Sequence, residues 1–229
     1  MKTILSLKNA SYRIPFGPSI FENLNLEMYE GQFLGVLGHN GAGKTTLIDI
    51  IMGFRGVTGG AISVFDEDPH LFSSGMYKNK ISFLSQDVGL KGDISIADFL
   101  QFHSGFFPNY SKQDEGHLLS KFKMSSEQTI GSLSTGQQKK IQIIAGLAAN
   151  TQLIIVDEIT AVLDPETRFL FFSTLKETVK TKNTSVILAT NIAEDLINIA
   201  HRVLFLTPGG AKEYDPSKIL ELFNVGKSA

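Results

Sequence analysis

Residues 2–8 and 20–28 alternate apolar with polar positions, the period-two pattern of strands that turn one face to a core and one to water. The pattern changes at 33–37, where Phe-Leu-Gly-Val-Leu runs without a polar break, and again at 153–156 and 185–189. Uninterrupted apolar runs of this length predict strands covered on both faces, as in a parallel sheet. Helical spacing follows each run, over 44–52, 165–180 and 193–200, the second opened by Pro165 in the first turn. Short strands are predicted at 61–65, 80–85, 203–206 and 211–214, and a closing helix at 216–223. Strand and helix thus alternate through the second half, which predicts an α/β fold around a parallel sheet.

Between 95 and 126 the period is helical with no strand between. Ile96, Phe99, Leu100 and His103 share one face, Pro108-Asn109-Tyr110-Ser111 breaks the helix, and Leu118, Leu119 and Phe122 begin a second face. This block reads as an inserted helical subdomain. It leads into another helix capped by Ser134 or Thr135, with Ile141, Ile144, Ala145 and Ala148 as its apolar stripe. The 229 residues suit one large domain with such an insertion.

Composition narrows the partners. The net charge is −2 with a pI of about 6.2, and the longest basic cluster is Lys139-Lys140, so no basic face for nucleic acid is expected. There is no cysteine, which excludes disulfides, thiolate metal sites and cysteine nucleophiles. No apolar run approaches the ~20 residues of a membrane span, and the start carries no signal-peptide cleavage pattern. Seventeen Phe and a mean hydropathy of +0.06 leave two readings open, a Phe-rich core and a surface covered by a partner.

The chemistry begins directly after the first apolar run. Gly38-His39-Asn40-Gly41-Ala42-Gly43-Lys44-Thr45 is a complete G-x-x-x-x-G-K-T phosphate loop, with a strand before it and a helix after. Glycines let successive backbone N–H groups point inward at a polyphosphate, and the helix opening at Lys44 adds its positive end. Lys44 is expected to reach the β- and γ-phosphates of ATP, and the Thr45 hydroxyl to ligate Mg²⁺. The run 153–156 ends in Asp157-Glu158, which project from a strand end into the same cleft. Asp157 is suited to holding Mg²⁺ through water, and Glu158 to polarising an attacking water as general base. Gln86 stands at the end of another strand and is expected to face the nucleotide.

Together these residues resemble the ATP-binding subunit of an ATP-binding-cassette (ABC) transporter over nearly the whole chain. The signature L-S-G-G-Q appears as Leu133-Ser134-Thr135-Gly136-Gln137, and the D-loop as Ala161-Val162-Leu163-Asp164. The resemblance implies a RecA-like phosphate-loop core with an N-terminal antiparallel β-subdomain, over 1–90 and 150–229, and a helical subdomain over 91–149. It also implies that Tyr12, 26 positions before the phosphate loop, stacks on adenine. The loop from His39 to Thr46 would hold the phosphates, with Gln86 near the metal and Asp164 in the nucleotide site. Ser134, Gly136 and Gln137 would meet ATP bound by a second ATPase chain, in a homodimer or heterodimer. Separate integral membrane permease subunits would dock near Gln86 and the helical block, placing the chain on the cytoplasmic side of a cell membrane. Residues 95–111 are similar to the ABC-2 exporter branch, which leans the expected direction toward export.

Three positions depart from the family pattern. Thr135 replaces a signature glycine, Ile159 replaces a proline, and Asn191 stands where the family carries a histidine against the γ-phosphate. Asparagine donates a hydrogen bond but carries no positive charge and shuttles no proton. Asn191 is therefore expected in the catalytic set, with either slow turnover or a role as the weaker half of a pair. A non-transport ABC ATPase and a low-turnover nucleotide switch are the rival readings.

Overall fold

The computed structural model describes residues 2–71, 77–86, 90, 92–207 and 210–219. The three apolar runs form β3 (Phe33–Leu37), β6 (Leu153–Asp157) and β7 (Ser185–Thr190), and every position in them is buried. With β5 (Ile81–Ser85), β8 (Arg202–Thr207) and β9 (Gly210–Tyr214) they make a six-stranded sheet in the order β5-β6-β7-β3-β8-β9. All neighbours are parallel except β9, which returns antiparallel to β8.

The side chains of these strands divide between two cores. Leu34, Val36, Leu153, Ile155, Ile187 and Ala189 face one; Phe33, Leu37, Ile154, Val156, Val186 and Leu188 face the other. The first core is closed by α1 (Lys44–Ile51) and by an antiparallel sheet of β1 (Thr3–Arg13), β2 (Ser19–Tyr29) and β4 (Gly59–Val64). The second is closed by α2 (Ile96–Ser104), α3 (Lys112–Lys121), α4 (Thr135–Ala148) and α5 (Pro165–Lys182). Helix α4 lies close on β5, because a Cβ at Gly146 would come within 2.6 Å of Leu84 Cδ2 and 2.7 Å of Ser82 Oγ.

Three expectations need revision. Strands β1 and β2 run longer than the alternating stretches, since Asn9 and Asn23 adopt positive φ and shift the register, which breaks the period-two pattern midway. The expected helix at 193–200 is a 3-10 turn, Ala193–Asp195, followed by turns in which Leu196 and Ile199 N–H bond carbonyls three residues back. Asp195 is drawn inward there and buried. The closing helix appears as a 3-10 turn at Pro216–Lys218, and residues 220–223 lie outside those described.

Register decides what the sheet presents. Ser85 pairs Asp157, Asp157 pairs Ala189, and Leu37 pairs Thr190, so Gln86, Glu158, Asn191 and Gly38 all leave the sheet at one edge. The ladder continues one bond past the strands: Gln86 N donates to Asp157 O at 3.1 Å, Glu158 N to Ala189 O at 3.1 Å and Gly38 N to Thr190 O at 3.4 Å. Ile155→Ala, a truncation at a fully buried position, should lower unfolding free energy by about 2–5 kcal/mol. The check is a lower urea midpoint at unchanged slope; a loss under ~1 kcal/mol would mean that β6 does not depend on this packing.

Candidate functional site

The phosphate loop bends through two left-handed glycines, Gly41 at φ 81° and Gly43 at φ 100°. At Gly43 a Cβ would stand 2.2 Å from Ile20 Cγ2, so packing and backbone both demand glycine. Ser95, Ser111, Ser134 and Asp164 cap α2, α3, α4 and α5 through their side chains, whereas α1 begins at Gly43 with no side-chain cap. The first amides of α1 are thus left to an outside acceptor, and an anion fits that role.

Lys44 is buried. Its ammonium donates to Gly38 O at 2.9 Å and His39 O at 3.2 Å, and pairs with Glu158 Oε1 at 2.9 Å. Glu158 holds a left-handed backbone, φ 54°, at the first position past β6, a conformation that costs a non-glycine residue about 1–2 kcal/mol. That turn aims its half-buried carboxylate back over the phosphate loop. Asn191 reaches the same loop, its Nδ2 donating to Asn40 Oδ1 at 3.0 Å.

Thr45 and Asp157 form the second pair. The Thr45 hydroxyl donates to Asp157 Oδ2 at 3.0 Å, while Asp157 Oδ1 is buried with no hydrogen-bond partner among the described residues. Burial pushes the Asp157 carboxyl up to about 6; the Thr45 hydroxyl opposes the shift and the Glu158 charge adds to it. A hydroxyl beside a dehydrated carboxylate oxygen is the donor set of a hard divalent cation, so Mg²⁺ fits here.

The remaining expected residues fall in three places. His39, Asn40 and Thr45 are exposed on the loop, Ala42 is buried beneath it, and Thr46 is partly buried in the first turn of α1. Gln86 is exposed at the sheet edge, and its carbonyl accepts from Lys139 Nζ at 2.6 Å. Ser134 is the cap of α4, in a capping box: its Oγ accepts from Gln137 N at 3.3 Å, and Gln137 Oε1 accepts from Ser134 N at 2.9 Å. Gly136 borders open space. Asp164 caps α5, with Oδ1 accepting from Thr167 N at 2.9 Å and Oδ2 from Thr167 Oγ1 at 2.6 Å; the Thr167 hydroxyl holds its carboxyl below the usual range. No hydrogen bond among the described residues joins Ser134, Gly136 or Gln137 to residues 38–45.

Tyr12 requires a correction. Only 6% of it is exposed, its ring belongs to the first core, and its hydroxyl accepts from Arg55 Nη1 at 3.3 Å, so neither ring face is free to stack on a base. Strand alternation gives the reason: Tyr12 points into the core, and the exposed apolar groups of this hairpin are Ile14 and Phe16. Lys139 falls outside every expected set. It is a buried lysine in α4, two residues past the signature Gln137, and it also donates to Ser85 O at 3.2 Å and Gln142 Oε1 at 3.1 Å. Its one signal in the sequence is a cation set just before the apolar stripe of α4.

A phosphate loop, a metal-suited carboxylate and a base at one edge of a parallel sheet define a nucleoside-triphosphate-hydrolysing enzyme. The profile of the ABC transporter family matches residues 21–161. The chain is 30% identical to the zinc uptake system ATP-binding protein ZurA of Listeria monocytogenes, over 93% of this chain and 88% of that protein. Among solved structures it resembles an ATP-binding subunit of an ABC transporter, with a TM-score of 0.86 at 20% identity over 99% of this chain and 100% of the other. It also resembles an ATP-binding cassette caught as a post-hydrolysis dimer with ADP and phosphate, with a TM-score of 0.80 at 21% identity over 93% and 99% of the two chains. The chain belongs to the ABC transporter family, as one of its ATP-binding, ATP-hydrolysing subunits.

The raised Asp157 carboxyl sets a pH dependence in chain free of nucleotide and metal. Because the folded value, about 6, exceeds the ordinary 3.8, the folded state binds the extra proton between them. That stabilising contribution is full below about 4 and lost as pH rises through about 6. Asp157→Asn should therefore raise stability at pH 7 by roughly 1–3 kcal/mol, flatten the change between pH 4 and 7, and abolish Mg²⁺-dependent turnover. Denaturant unfolding of both chains in chelator checks this; equal pH profiles would refute it.

Proposed function

We propose that this chain binds MgATP against a second ATPase chain and drives transport through separate membrane-spanning subunits, from the cytoplasmic side of a cell membrane. One observation carries the reading: Lys44, Thr45, Asp157, Glu158, Asn191 and Gln86 converge on one sheet edge, while among the described residues Ser134, Gly136 and Gln137 make no hydrogen bond to that loop. A signature without hydrogen bonds to its own phosphate loop suits a site completed by another chain. The chain acts as one unit over 1–229, with 91–149 as its helical part.

The residues divide the chemistry. Lys44 leaves Glu158 for the β- and γ-phosphates, whose charge outweighs one carboxylate, and the uncapped amides of α1 meet the same anion. Thr45 and Asp157 would hold Mg²⁺, which would supply charge neutralisation when bound. Glu158, released from Lys44, accepts a proton from the attacking water as the water oxygen bonds the γ-phosphorus and the bond to the bridging oxygen breaks. Asn191 donates one hydrogen bond to the γ-phosphate and nothing more. The amide keeps a donor but lacks the positive charge and proton of an imidazolium, so a neutral group at this position predicts slow turnover. Ile14 and Phe16, near Ile20 where that strand abuts Gly43, take the adenine face in place of Tyr12.

A membrane partner is supported by an apolar cleft of about 230 Å³ between β5 and the helices α2 and α4, lined by Phe83, Leu84, Phe99, His103 and Gly146. His103 Nδ1 has no hydrogen-bond partner among the described residues, and Phe102 and Phe106 stand exposed beside it. No described helix is long and apolar enough to cross a membrane. The export lean of residues 95–111 is not carried into this proposal, because a relative at 30% identity is named for zinc uptake.

Steady-state ATPase assays with size analysis in MgATP test the reading. Glu158→Gln should reduce kcat at least 100-fold and trap an ATP-bound dimer, and Asn191→His should raise kcat about tenfold or more. A chain that binds no ATP, or a Glu158→Gln variant that stays monomeric in ATP alone and with a partner ATPase, would reject it. Equal rates for wild type and Asn191→His would remove the slow-site element.

A further inference from the structure

Asp195 belongs to none of the motifs above, yet its carboxylate is the most connected buried acid near the site. It is 7% exposed. Thr160 Oγ1 donates to Asp195 Oδ2 at 2.8 Å, and Thr190 Oγ1 stands 3.4 Å from the same oxygen. Arg168 donates to Oδ1 through Nε at 3.1 Å and through Nη2. Thr190 Oγ1 in turn accepts from Ile192 N at 3.0 Å, so both residues flanking Asn191 are tied into the cluster.

Each partner reports to a different part of the machinery. Thr160 sits in the 3-10 turn Ile159–Val162 that begins at Glu158. Arg168 lies in the first turns of α5, the helix capped by Asp164. Thr190 ends β7 and precedes Asn191. Glu158 and Asn191 leave neighbouring strands, β6 and β7, whose backbone pairing stops at the strand ends. Beyond the last ladder bond, from Glu158 N to Ala189 O, the two segments diverge and nothing in the ladder fixes them relative to each other. The carboxylate of Asp195 closes that gap from behind the site.

We propose that Asp195 is a positioning residue for ATP hydrolysis: one buried carboxylate locks the Glu158 turn, the start of α5 and the Asn191 strand end into a single geometry. The inference rests on the ATPase reading. Asp195 touches neither phosphate nor water; it acts through Thr160 on the general base and through Thr190 on the Asn191 donor. The arrangement matters more here than with a histidine at 191. An amide has one short arm and no charge, so its hydrogen bond to the γ-phosphate tolerates less displacement than a longer-range electrostatic attraction. Paired buried carboxylates also tolerate loss of one partner poorly, which separates two variants by mechanism.

The test compares Asp195→Asn, Asp195→Glu and Thr160→Val with wild type, for kcat, ATP KM, melting temperature and hydrogen exchange. Asp195→Asn weakens the Arg168 link, and Thr160→Val removes the link to the Glu158 turn without stranding a charge. Both should lower kcat about 10–100-fold with KM within about twofold, and Asp195→Glu should recover part of the loss. Thr160→Val should raise exchange at 190–196 as well as at 158–163, because the cluster joins them. A kcat within about twofold of wild type in either folded variant, or exchange rising only around residue 160, would overturn the proposal. If Asp195→Asn does not fold, Thr160→Val decides. A wild-type chain without turnover rejects the functional reading instead, and exchange alone then decides whether the cluster joins the two segments.

Discussion

A buried ammonium governs this site. Lys44 sits in a cradle of two loop carbonyls and the Glu158 carboxylate, and its side chain is 3% exposed. An amine so far from water needs full compensation, because the desolvation penalty of an isolated charge is several kcal/mol. Here the compensation is supplied by the loop that would wrap a phosphate and by the carboxylate that would activate water. Without nucleotide Lys44 is therefore satisfied by the site's own parts, and Glu158 is engaged. Nucleotide phosphates are a stronger counter-ion than one carboxylate, so under the proposed function the event that loads the site would also free Glu158, and electrostatics would order chemistry after binding.

The second requirement is alignment across strands. Parallel register delivers Gln86, Glu158, Asn191 and the phosphate loop to one edge, but it does so only up to the last ladder bond. Past that point each functional residue hangs on a turn. Left-handed Glu158 and the tight 3-10 segment after it hold the base where an ordinary extended exit would carry it away from the loop. On the far side, buried Lys139 grips the carbonyls of Ser85 and Gln86 from α4, so the signature helix and the glutamine segment share one anchor. A rotation of α4 would pull on the sheet edge through that lysine.

Much of this is legible in the sequence where one residue type answers one physical demand. Buried parallel strands need apolar groups on both faces, so β3, β6 and β7 stand out as unbroken runs. The phosphate loop needs glycines at two left-handed positions, and Asp157 and Glu158 follow a buried strand directly. Positions that depend on three-dimensional neighbours are less visible. A period-two reading fails where Asn9 shifts the register of β1, and the adenine role that the resemblance implied for Tyr12 meets a ring packed into the first core. Residues 193–200 have helical spacing, yet the attraction of Asp195 to Arg168 and Thr160 tightens the backbone into a 3-10 turn. Buried ionic links such as Lys139 and Asp195 join segments more than 25 residues apart, and no local pattern announces them.

Asparagine at 191 completes the logic rather than breaking it. The binding elements are in place: Lys44, the uncapped start of α1 and the Thr45–Asp157 pair stand together at the phosphate loop, where ground-state phosphates and their metal would bind. What asparagine removes is a positive charge that would count mainly as negative charge develops on the transferring phosphoryl group. Loss confined to the transition state lowers kcat without weakening ATP affinity. Under the proposed function a chain of this kind would stay loaded for longer, with its phosphates available to a second signature. Slow turnover and a persistent ATP-bound pair are then two readings of the same substitution, and the partner's own site, complete or not, decides how quickly the pair comes apart.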